Sequence, residues 1–260
     1  INYLNCYDQG DTNVIINTTP VGMYPDNYQR VLDLSRFAFL DGVLDVVYNP
    51  CLTELLLQAK ELGVKYSGGL PMLVAQAKYA MELFLDKKCS NDIIERVLEK
   101  ISKTTKNIVL IGMPGSGKTT IGKNLAEILA KEFIDTDQKI VEKDGRDITS
   151  IFSESGEEYF RNLEKQVLRE VGKLSNKVIA TGGGVVKDKE NYFPLKQNGD
   201  IVWIKRPLEK LSVENRPLSQ DGKIFKLYEE RKDLYLSFSD YSVQNDGDLQ
   251  DAIKGVTDIL

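Results

Sequence analysis

A glycine-rich segment of the chain has the residue types and spacing that bind phosphate. It reads Gly112-Met-Pro-Gly-Ser-Gly-Lys-Thr119 and stands between an apolar run typical of a strand and a pattern typical of a helix. Glycines let consecutive backbone N–H groups turn toward one anion, and the helix that follows directs its positive end to the same point. Lys118 would bridge the terminal phosphates and the Thr119 hydroxyl would ligate Mg²⁺. The segment predicts a polyphosphate site, and a glycine-rich turn before a helix lysine is the alternative.

Two aspartates follow the next predicted strand. The run Asp135-Thr-Asp137 comes at the carboxyl edge of the sheet, where open α/β folds bind ligands. The alternating spacing lets one carboxylate serve Mg²⁺ while the other faces the group that accepts the phosphate. The alternative is that both aspartates are N-caps of the next helix.

Further motifs carry arginines and glycines. Arg161 lies one turn into a helix that starts at Gly156, and a solvated pair with Glu158 or Glu164 is the alternative use of this arginine. Three glycines, Gly182 to Gly184, follow another strand and indicate that something approaches the backbone closely, unless they form a plain loop. Two later arginines are candidates as well: Arg216 in a Ser/Gly/Asp-rich stretch similar to a mobile lid, and Arg231 on a helix.

Composition excludes several classes of function. The chain of 260 residues has no histidine, which removes histidine bases, triads and metal ligands. Its three cysteines are scattered and predict free thiols. A net charge of −5 argues against non-specific nucleic-acid binding, and the absence of a signal peptide or a membrane-length apolar run predicts a cytoplasmic protein with no membrane partner.

Strands alternate with helices along the whole chain, which predicts an α/β fold with parallel sheets flanked by helices. We expect one domain over residues 1–101, a polar linker over 102–106 and a second domain over 107–260. Predicted strands cover residues 14–17, 43–48, 64–66, 108–111, 178–180 and 201–205, with a short one near 133. Predicted helices cover residues 53–63, 71–85, 91–101, 119–131, 138–143, 157–174, 224–236 and 249–260.

The motifs of the second domain resemble the shikimate kinase family. The ordered set GMPGSGKTT, DTD, GEEYFR, ATGGG, RPL and ERKDLY spans residues 107–260. The resemblance implies a P-loop kinase that uses ATP and Mg²⁺ to phosphorylate the ring 3-hydroxyl of shikimate, for aromatic amino acid biosynthesis. A P-loop kinase acting on another small hydroxy acid is the alternative enzyme.

The same resemblance implies a role for each matching residue. Lys118, Asp137 and Arg216 would be catalytic, with Arg216 reaching the transferring phosphoryl group from the lid. Thr119 and Asp135 would serve Mg²⁺. ATP would bind Gly115, Ser116, Gly117, Lys118, Thr119 and Thr120, and shikimate would bind Asp137, Arg161, Gly182, Gly183, Gly184 and Arg231. Between Pro207 and Arg216 the chain is about four residues shorter than in longer-lidded relatives, and it has no arginine there to stack on the adenine.

The first domain resembles the carboxyl-terminal part of shikimate dehydrogenase over residues 13–85. The matching motifs are NTTPVGM from Asn17, DVVYNP from Asp45 and GGLPMLVAQ from Gly68. The resemblance implies a partial Rossmann-like domain. It implies an NADP pocket lined by Thr18, Thr19, Gly22, Met23 and Met72, and shikimate contacts from Tyr48 and Gln76; core or surface roles are the alternative for Met23, Met72 and Gln76.

The dehydrogenase motifs are incomplete. No G-x-G-x-x-G fingerprint precedes residue 14, and the substrate domain that carries the family's catalytic lysine and aspartate is missing. We therefore expect no productive NADP binding and no hydride transfer, and we interpret the chain as a fragment of a bifunctional dehydrogenase-kinase. An unpaired strand at residues 14–17 suggests one further alternative, a scaffold that docks a separate chain carrying the missing half.

Overall fold

A computed structural model describes residues 6–8, 11–211 and 223–260. The chain divides into two compact units, Ile1–Thr105 and Lys106–Leu260. Within the described ranges, no helix has the length and apolar character that a membrane crossing requires.

The first unit is built on a small parallel sheet of order β1-β2-β3. Its core side chains come from β1, β2 and the helix that connects β2 to β3, where Leu55, Leu56 and Ala59 are buried at helical spacing. Thr53 caps this helix by accepting a hydrogen bond from the N–H of Leu56. The strands are β1 Val14–Asn17, β2 Gly42–Asp45 and β3 Lys65–Ser67, and the helices are α1 Glu54–Glu61, α2 Leu70–Leu85 and α3 Asp92–Thr105.

Helix α3 differs from its prediction at its carboxyl end. Residues 102–105, predicted as a linker, are helical, so only Lys106 lies between α3 and the next strand. The hydroxyl of Thr104 donates to the carbonyls of Lys100 and Ile101, and that of Thr105 donates to Ile101. The hydroxyls of this polar run are therefore accommodated inside the last turn of the helix by bonds to the carbonyls of the preceding turn.

The second unit contains a five-stranded parallel sheet of order β5-β6-β4-β7-β8. All five residues of β4 are buried, because helices cover both faces of the sheet. Val109 and Ile111 point into a cluster with α6 and α8, while Ile108 and Leu110 point into a cluster with α4 and α9. The strands are β4 Asn107–Ile111, β5 Glu132–Asp135, β6 Lys177–Ala180, β7 Gly199–Lys205 and β8 Tyr241–Gln244. The helices are α4 Lys118–Ile128, α5 Thr136–Asp144, α6 Ile148–Val171, α7 Tyr192–Lys196, α8 Lys223–Phe238 and α9 Leu249–Thr257.

Candidate active site

The glycine-rich loop joins the carboxyl end of β4 to the first turn of α4. Gly112, Gly115 and Gly117 have φ values of 145°, 82° and 95°, which residues other than glycine rarely adopt. Close neighbours add a second requirement. A Cβ on Gly112 would lie 2.5 Å from the carbonyl oxygen of Ile204, and a Cβ on Gly117 would lie 2.5 Å from the side-chain amide nitrogen of Asn245. The loop conformation therefore depends on glycine at these positions.

Lys118 is the first residue of α4 and is 8% exposed. Its ammonium group donates to the carbonyl oxygens of Gly112 at 2.9 Å and of Met113 at 3.0 Å. The charge is thereby held over the loop, where the terminal phosphates of a nucleotide would lie. Asn245 supports the loop from the end of β8 by donating to the carbonyl of Ser116 at 2.7 Å.

Thr119 and Asp135 bring two oxygen donors together beside the phosphate loop. The hydroxyl of Thr119 donates to Oδ2 of Asp135 at 2.9 Å, while Oδ1 of Asp135 caps α5 by accepting from the N–H groups of Asp137 and Gln138. Both are oxygen donors beside the phosphate loop, and Mg²⁺ commonly uses one or two such ligands together with phosphates and water. In the part of the chain that the structure describes, no cluster of three acidic or cysteine side chains could hold a metal alone. The pair therefore fits Mg²⁺ bound with a nucleotide.

A cavity of about 370 Å³ opens beside the loop, at the carboxyl ends of β4, β5 and β6. These strands are adjacent in the sheet, so the loop, the two aspartates and the three glycines that follow them meet at one edge. The cavity wall includes charged groups of both signs and an apolar side formed by Ile148, Phe152, Phe160 and Leu227. Its predicted site residues are Lys118, Thr119, Asp135, Asp137, Arg161, Gly182, Gly183, Gly184 and Arg231.

Arg161 is held in the cavity by two carboxylates. Its guanidinium is 2.7 Å from Glu164 and 3.3 Å from Glu157, and Glu157 also pairs with Lys187. Burial alone would lower the pKa of Arg161, but the two glutamates raise it above its ordinary value. Burial raises the pKa of Glu164, and the charge of Asp137 adds to this effect while Arg161 opposes it. The arginine is thus a fixed cation at the cavity wall rather than a solvated surface residue.

Each of the three glycines admits a different group of the site. A Cβ on Gly182 would lie 2.6 Å from Oδ1 of Asp137, and one on Gly183 would lie 2.6 Å from the ring of Pro114. A Cβ on Gly184 would overlap the guanidinium of Arg161. The close approach expected from the sequence is therefore made by side chains of the site itself.

We expect Gly184→Ala to weaken acceptor binding without a large loss of stability. The φ of Gly184 is −100°, which alanine adopts readily, so the effect comes from the displaced guanidinium of Arg161. KM for the acceptor should rise about tenfold, because a misplaced binding group of this kind is costly. Gly247→Ala is the matched control, since its Cβ would make only an ordinary contact at 3.7 Å. Equal KM values for the two variants would contradict the prediction.

Helix α8 contributes Arg231 to the cavity wall and carries Tyr235 one turn further along, buried behind the wall. The carbonyl oxygen of Gly183 accepts from Arg231 at 3.0 Å and from the hydroxyl of Tyr235 at 2.5 Å. Arg231 is 4% exposed and Tyr235 is fully buried, with its ring stacked on Trp203. These contacts fix the glycine segment to α8. The segment that leaves room for the guanidinium of Arg161 therefore also positions Arg231.

We expect the free energy of unfolding to fall at alkaline pH because of the hydroxyl of Tyr235. Burial raises its pKa from 10.0 to about 12, so the folded chain holds this proton more tightly than the unfolded chain. Its contribution is fully present below about pH 10 and is lost as the pH rises toward about 12. Between pH 9 and pH 11, the free energy of unfolding should fall about 1.4 kcal/mol more for the wild type than for Tyr235→Phe, as one pKa unit implies. Chemical denaturation at both pH values measures this difference, and parallel curves would refute it.

The remaining predicted residues have varied positions. Gly115, Ser116 and Gly117 lie in the loop, whereas the exposed Thr120 lies one residue beyond Thr119 on α4 and outside the cavity wall. Arg216 lies outside the described residues. Glu164 and Tyr235 were not predicted as site residues, although Tyr235 ends the motif ERKDLY and Glu164 lies three residues after the motif GEEYFR. Among the dehydrogenase-like residues, Thr18, Thr19, Gly22 and Met23 follow β1, Tyr48 follows β2, and Met72 and Gln76 lie on α2.

Comparison with known proteins assigns the second unit. A family model described as shikimate kinase matches residues 114–259, which is more than half of the chain. The chain belongs to the shikimate kinase family. It is therefore a kinase, and the reaction of its family is the phosphorylation of shikimate in aromatic biosynthesis.

Individual shikimate kinases agree with this assignment. The enzyme of Clostridium botulinum (strain Alaska E43 / Type E3) is 44% identical over 159 residues, covering 59% of this chain and 96% of the relative. The structure of the Acinetobacter baumannii enzyme in complex with shikimate matches with a TM-score of 0.58 and 36% identity, over 62% of this chain and 95% of that one.

The first unit has a more partial likeness. A chorismate mutase/shikimate 5-dehydrogenase fusion protein from Clostridium acetobutylicum is 36% identical with a TM-score of 0.35, and the match covers 37% of each chain. The roles predicted for the dehydrogenase-like residues stay predictions.

Proposed function

We propose that this shikimate kinase transfers the terminal phosphoryl group of ATP to the ring 3-hydroxyl of shikimate in the cavity at the carboxyl ends of β4, β5 and β6. The observation that supports it is the shared wall: the phosphate-loop cation Lys118, the half-buried Arg161 and the buried Arg231 line one cavity. Its volume of about 370 Å³ is of the order that a small-molecule site requires. Lys118 would hold the phosphates at one end, and the arginines would hold the acceptor carboxylate at the other.

Protein groups of opposite charge would orient the acceptor, with arginines at its carboxylate and an aspartate at its reacting hydroxyl. Guanidinium groups match a carboxylate through paired N–H donors, which suits Arg161 and Arg231. Asp137, in the first turn of α5, would accept the hydrogen bond of the reacting hydroxyl. Gly182, Gly183 and Gly184 would let the ring approach the backbone.

In the proposed step, the 3-hydroxyl oxygen of shikimate forms a bond to the terminal phosphorus of ATP while the bond to the ADP oxygen breaks. The proton of the hydroxyl passes to Asp137. Lys118 stabilises the charge on the transferring group, and a bound Mg²⁺, held by Thr119 and Asp135, would neutralise the phosphate oxygens. Arg216 stays a predicted contributor outside the described residues.

The test of this proposal is the release of ADP from Mg-ATP with and without shikimate. We expect release that depends on shikimate and yields shikimate 3-phosphate, identified by mass spectrometry. A panel of other small hydroxy acids at equal concentration addresses the alternative substrate. Faster turnover of another acid than of shikimate, or release that needs no acceptor, would reject the proposal.

A second role is suggested by one face of the first unit's sheet. Val14, Ile16 and Leu44 are 52%, 59% and 43% exposed, although faces of parallel sheets are normally covered. We infer that this face could dock a separate chain that carries the other dehydrogenase half. Reductase activity with NADPH that arises only on mixing the two chains, and is lost in Ile16→Lys, would support docking; no activity in the mixture would reject it.

Two expectations from the sequence stay predictions for the chain by itself. We expect NADP not to bind productively, and we expect the protein in the cytoplasm.

A further inference from the structure

The acceptor cavity depends on a helix that is broken inside its own span. At Gly156 the backbone of α6 has φ 81° and ψ 174°, so the helix consists of two segments, residues 148–155 and 157–171. Among the described residues, a Cβ placed on Gly156 would meet no atom within 4 Å beyond its chain neighbours and its own helix backbone, so the backbone angle and not crowding requires glycine. The angle between the two segments is therefore not set by continuous helical hydrogen bonding.

The two segments form different parts of the cavity wall. The first contributes the apolar side chains Ile148 and Phe152, and the second contributes Arg161 and Glu164. Across the break, the ring of Phe152 packs against that of Phe160 with centroids 4.6 Å apart. Any change in the angle at Gly156 would move the apolar wall relative to the cation that is proposed to bind the acceptor.

A polar cluster outside the cavity joins both segments to α5. Arg146 makes a two-point contact with Asp144, Nε to Oδ1 at 2.7 Å and Nη2 to Oδ2 at 3.1 Å. Nη1 of Arg146 also donates to Glu154 at 3.0 Å and to Ser155 at 3.1 Å, at the end of the first segment. Tyr159, in the second segment, donates its hydroxyl to Asp144 at 2.9 Å.

The cluster is well placed to hold the angle. The side chain of Asp144 is 4% exposed, and Asp144 is the last residue of α5, the helix whose first turn carries Asp137. A planar guanidinium with five donors can bond one carboxylate in two places and still reach a second chain segment, which the ammonium group of lysine cannot do in the same geometry. None of the three residues Asp144, Arg146 and Tyr159 lines the cavity.

We propose that Arg146 is a positioning residue for the acceptor: with Asp144 and Tyr159 it fixes the angle at Gly156, and so sets the distance between the apolar wall and Arg161. This inference rests on the proposed acceptor site. It concerns only the acceptor side, because the phosphate loop belongs to β4 and α4.

The test compares Arg146→Gln, Tyr159→Phe and a matched control. Lys143→Gln removes another contact between α5 and α6, the 2.6 Å pair of Lys143 with Glu170, which does not involve the first segment. The readouts are the Kd for shikimate from the fluorescence of Trp203, the chain's single tryptophan, and the KM for ATP. Thermal unfolding checks that each variant is folded.

We expect the Kd for shikimate to rise about tenfold in Arg146→Gln and about threefold in Tyr159→Phe, since small displacements of binding groups are costly. The KM for ATP should stay unchanged, and Lys143→Gln should bind shikimate like the wild type. If Arg146→Gln and Tyr159→Phe both match the control, or if the Kd for shikimate and the KM for ATP rise together, the positioning role is wrong.

A further variant, Arg161→Met, separates this inference from the site on which it rests. Loss of shikimate binding in Arg161→Met but not in Arg146→Gln or Tyr159→Phe would leave the acceptor site standing and reject the positioning role. Normal binding by Arg161→Met would reject the acceptor site and the positioning role together.

Discussion

Replacement of Lys118 by methionine should lower kcat about 10³-fold while the protein stays folded and still binds shikimate. The ammonium group of Lys118 is the cation that the structure holds over the phosphate loop, through the carbonyls of Gly112 and Met113. Removing one preorganised charge from a site of transferring charge costs about this much. Steady-state kinetics with saturating shikimate measures the loss.

Lys123→Met is the matched control for this variant. Lys123 lies on the same helix, but it is exposed and stands near the ring of Phe133 rather than at the loop. We expect Lys123→Met to keep the wild-type kcat, and we expect shikimate to quench or enhance the fluorescence of Trp203 equally in both variants. A Lys118→Met enzyme that keeps more than about a tenth of its kcat would show that this loop is not where phosphoryl transfer occurs.

The phosphate loop could be predicted from the sequence because each of its residues meets a local requirement. Gly115 and Gly117 adopt positive φ angles, and Lys118 begins the helix whose N-terminus faces the anion. Such requirements depend on the backbone of a few neighbouring residues, and they leave the same signature in any chain that forms the loop. The parallel sheet was predictable for a similar reason, since its central strands are continuous apolar runs.

Glu164 could not be assigned in this way. A carboxylate three residues after an arginine is equally typical of an exposed helix pair and of a buried one. The distinction comes from distant groups, since α6 packs against the glycine segment after β6 and against Asp137 at the start of α5. Burial that is created by three separate parts of the chain has no local signature.

Among the described helices and strands, β8, α7 and the first segment of α6 were absent from the predictions. Strand β8 has one buried residue, Val243, so the alternation that would indicate a strand is too short to detect; its pairing with β7 is what makes it a strand. The first segment of α6 ends at a glycine with positive φ, and Gly156 therefore read as a helix start rather than as a break within one element.

Replacement of Asp137 by asparagine should lower kcat about 10²- to 10³-fold, the range typical of losing a group that takes a proton in the reaction. Asparagine keeps the shape of the side chain but removes the charge, so the change isolates the chemistry from the packing beside Gly182. Burial is the main cause of the raised pKa of Glu164 and the charge of Asp137 adds to it, so this variant should lower the pKa of Glu164 while leaving it above its ordinary value. The kinetic measurement is kcat and KM for shikimate at fixed Mg-ATP.

Glu142→Gln is the control for Asp137→Asn, because Glu142 lies on the same helix and makes an exposed pair with Lys139. We expect it to have wild-type kinetics. The division between kcat and KM then assigns the role of Asp137, since an interaction made only in the transition state lowers kcat, whereas uniform binding changes KM alone. A raised KM with unchanged kcat would mean that Asp137 holds the acceptor without taking its proton, and the proton would then have to leave by way of the phosphate oxygens or water.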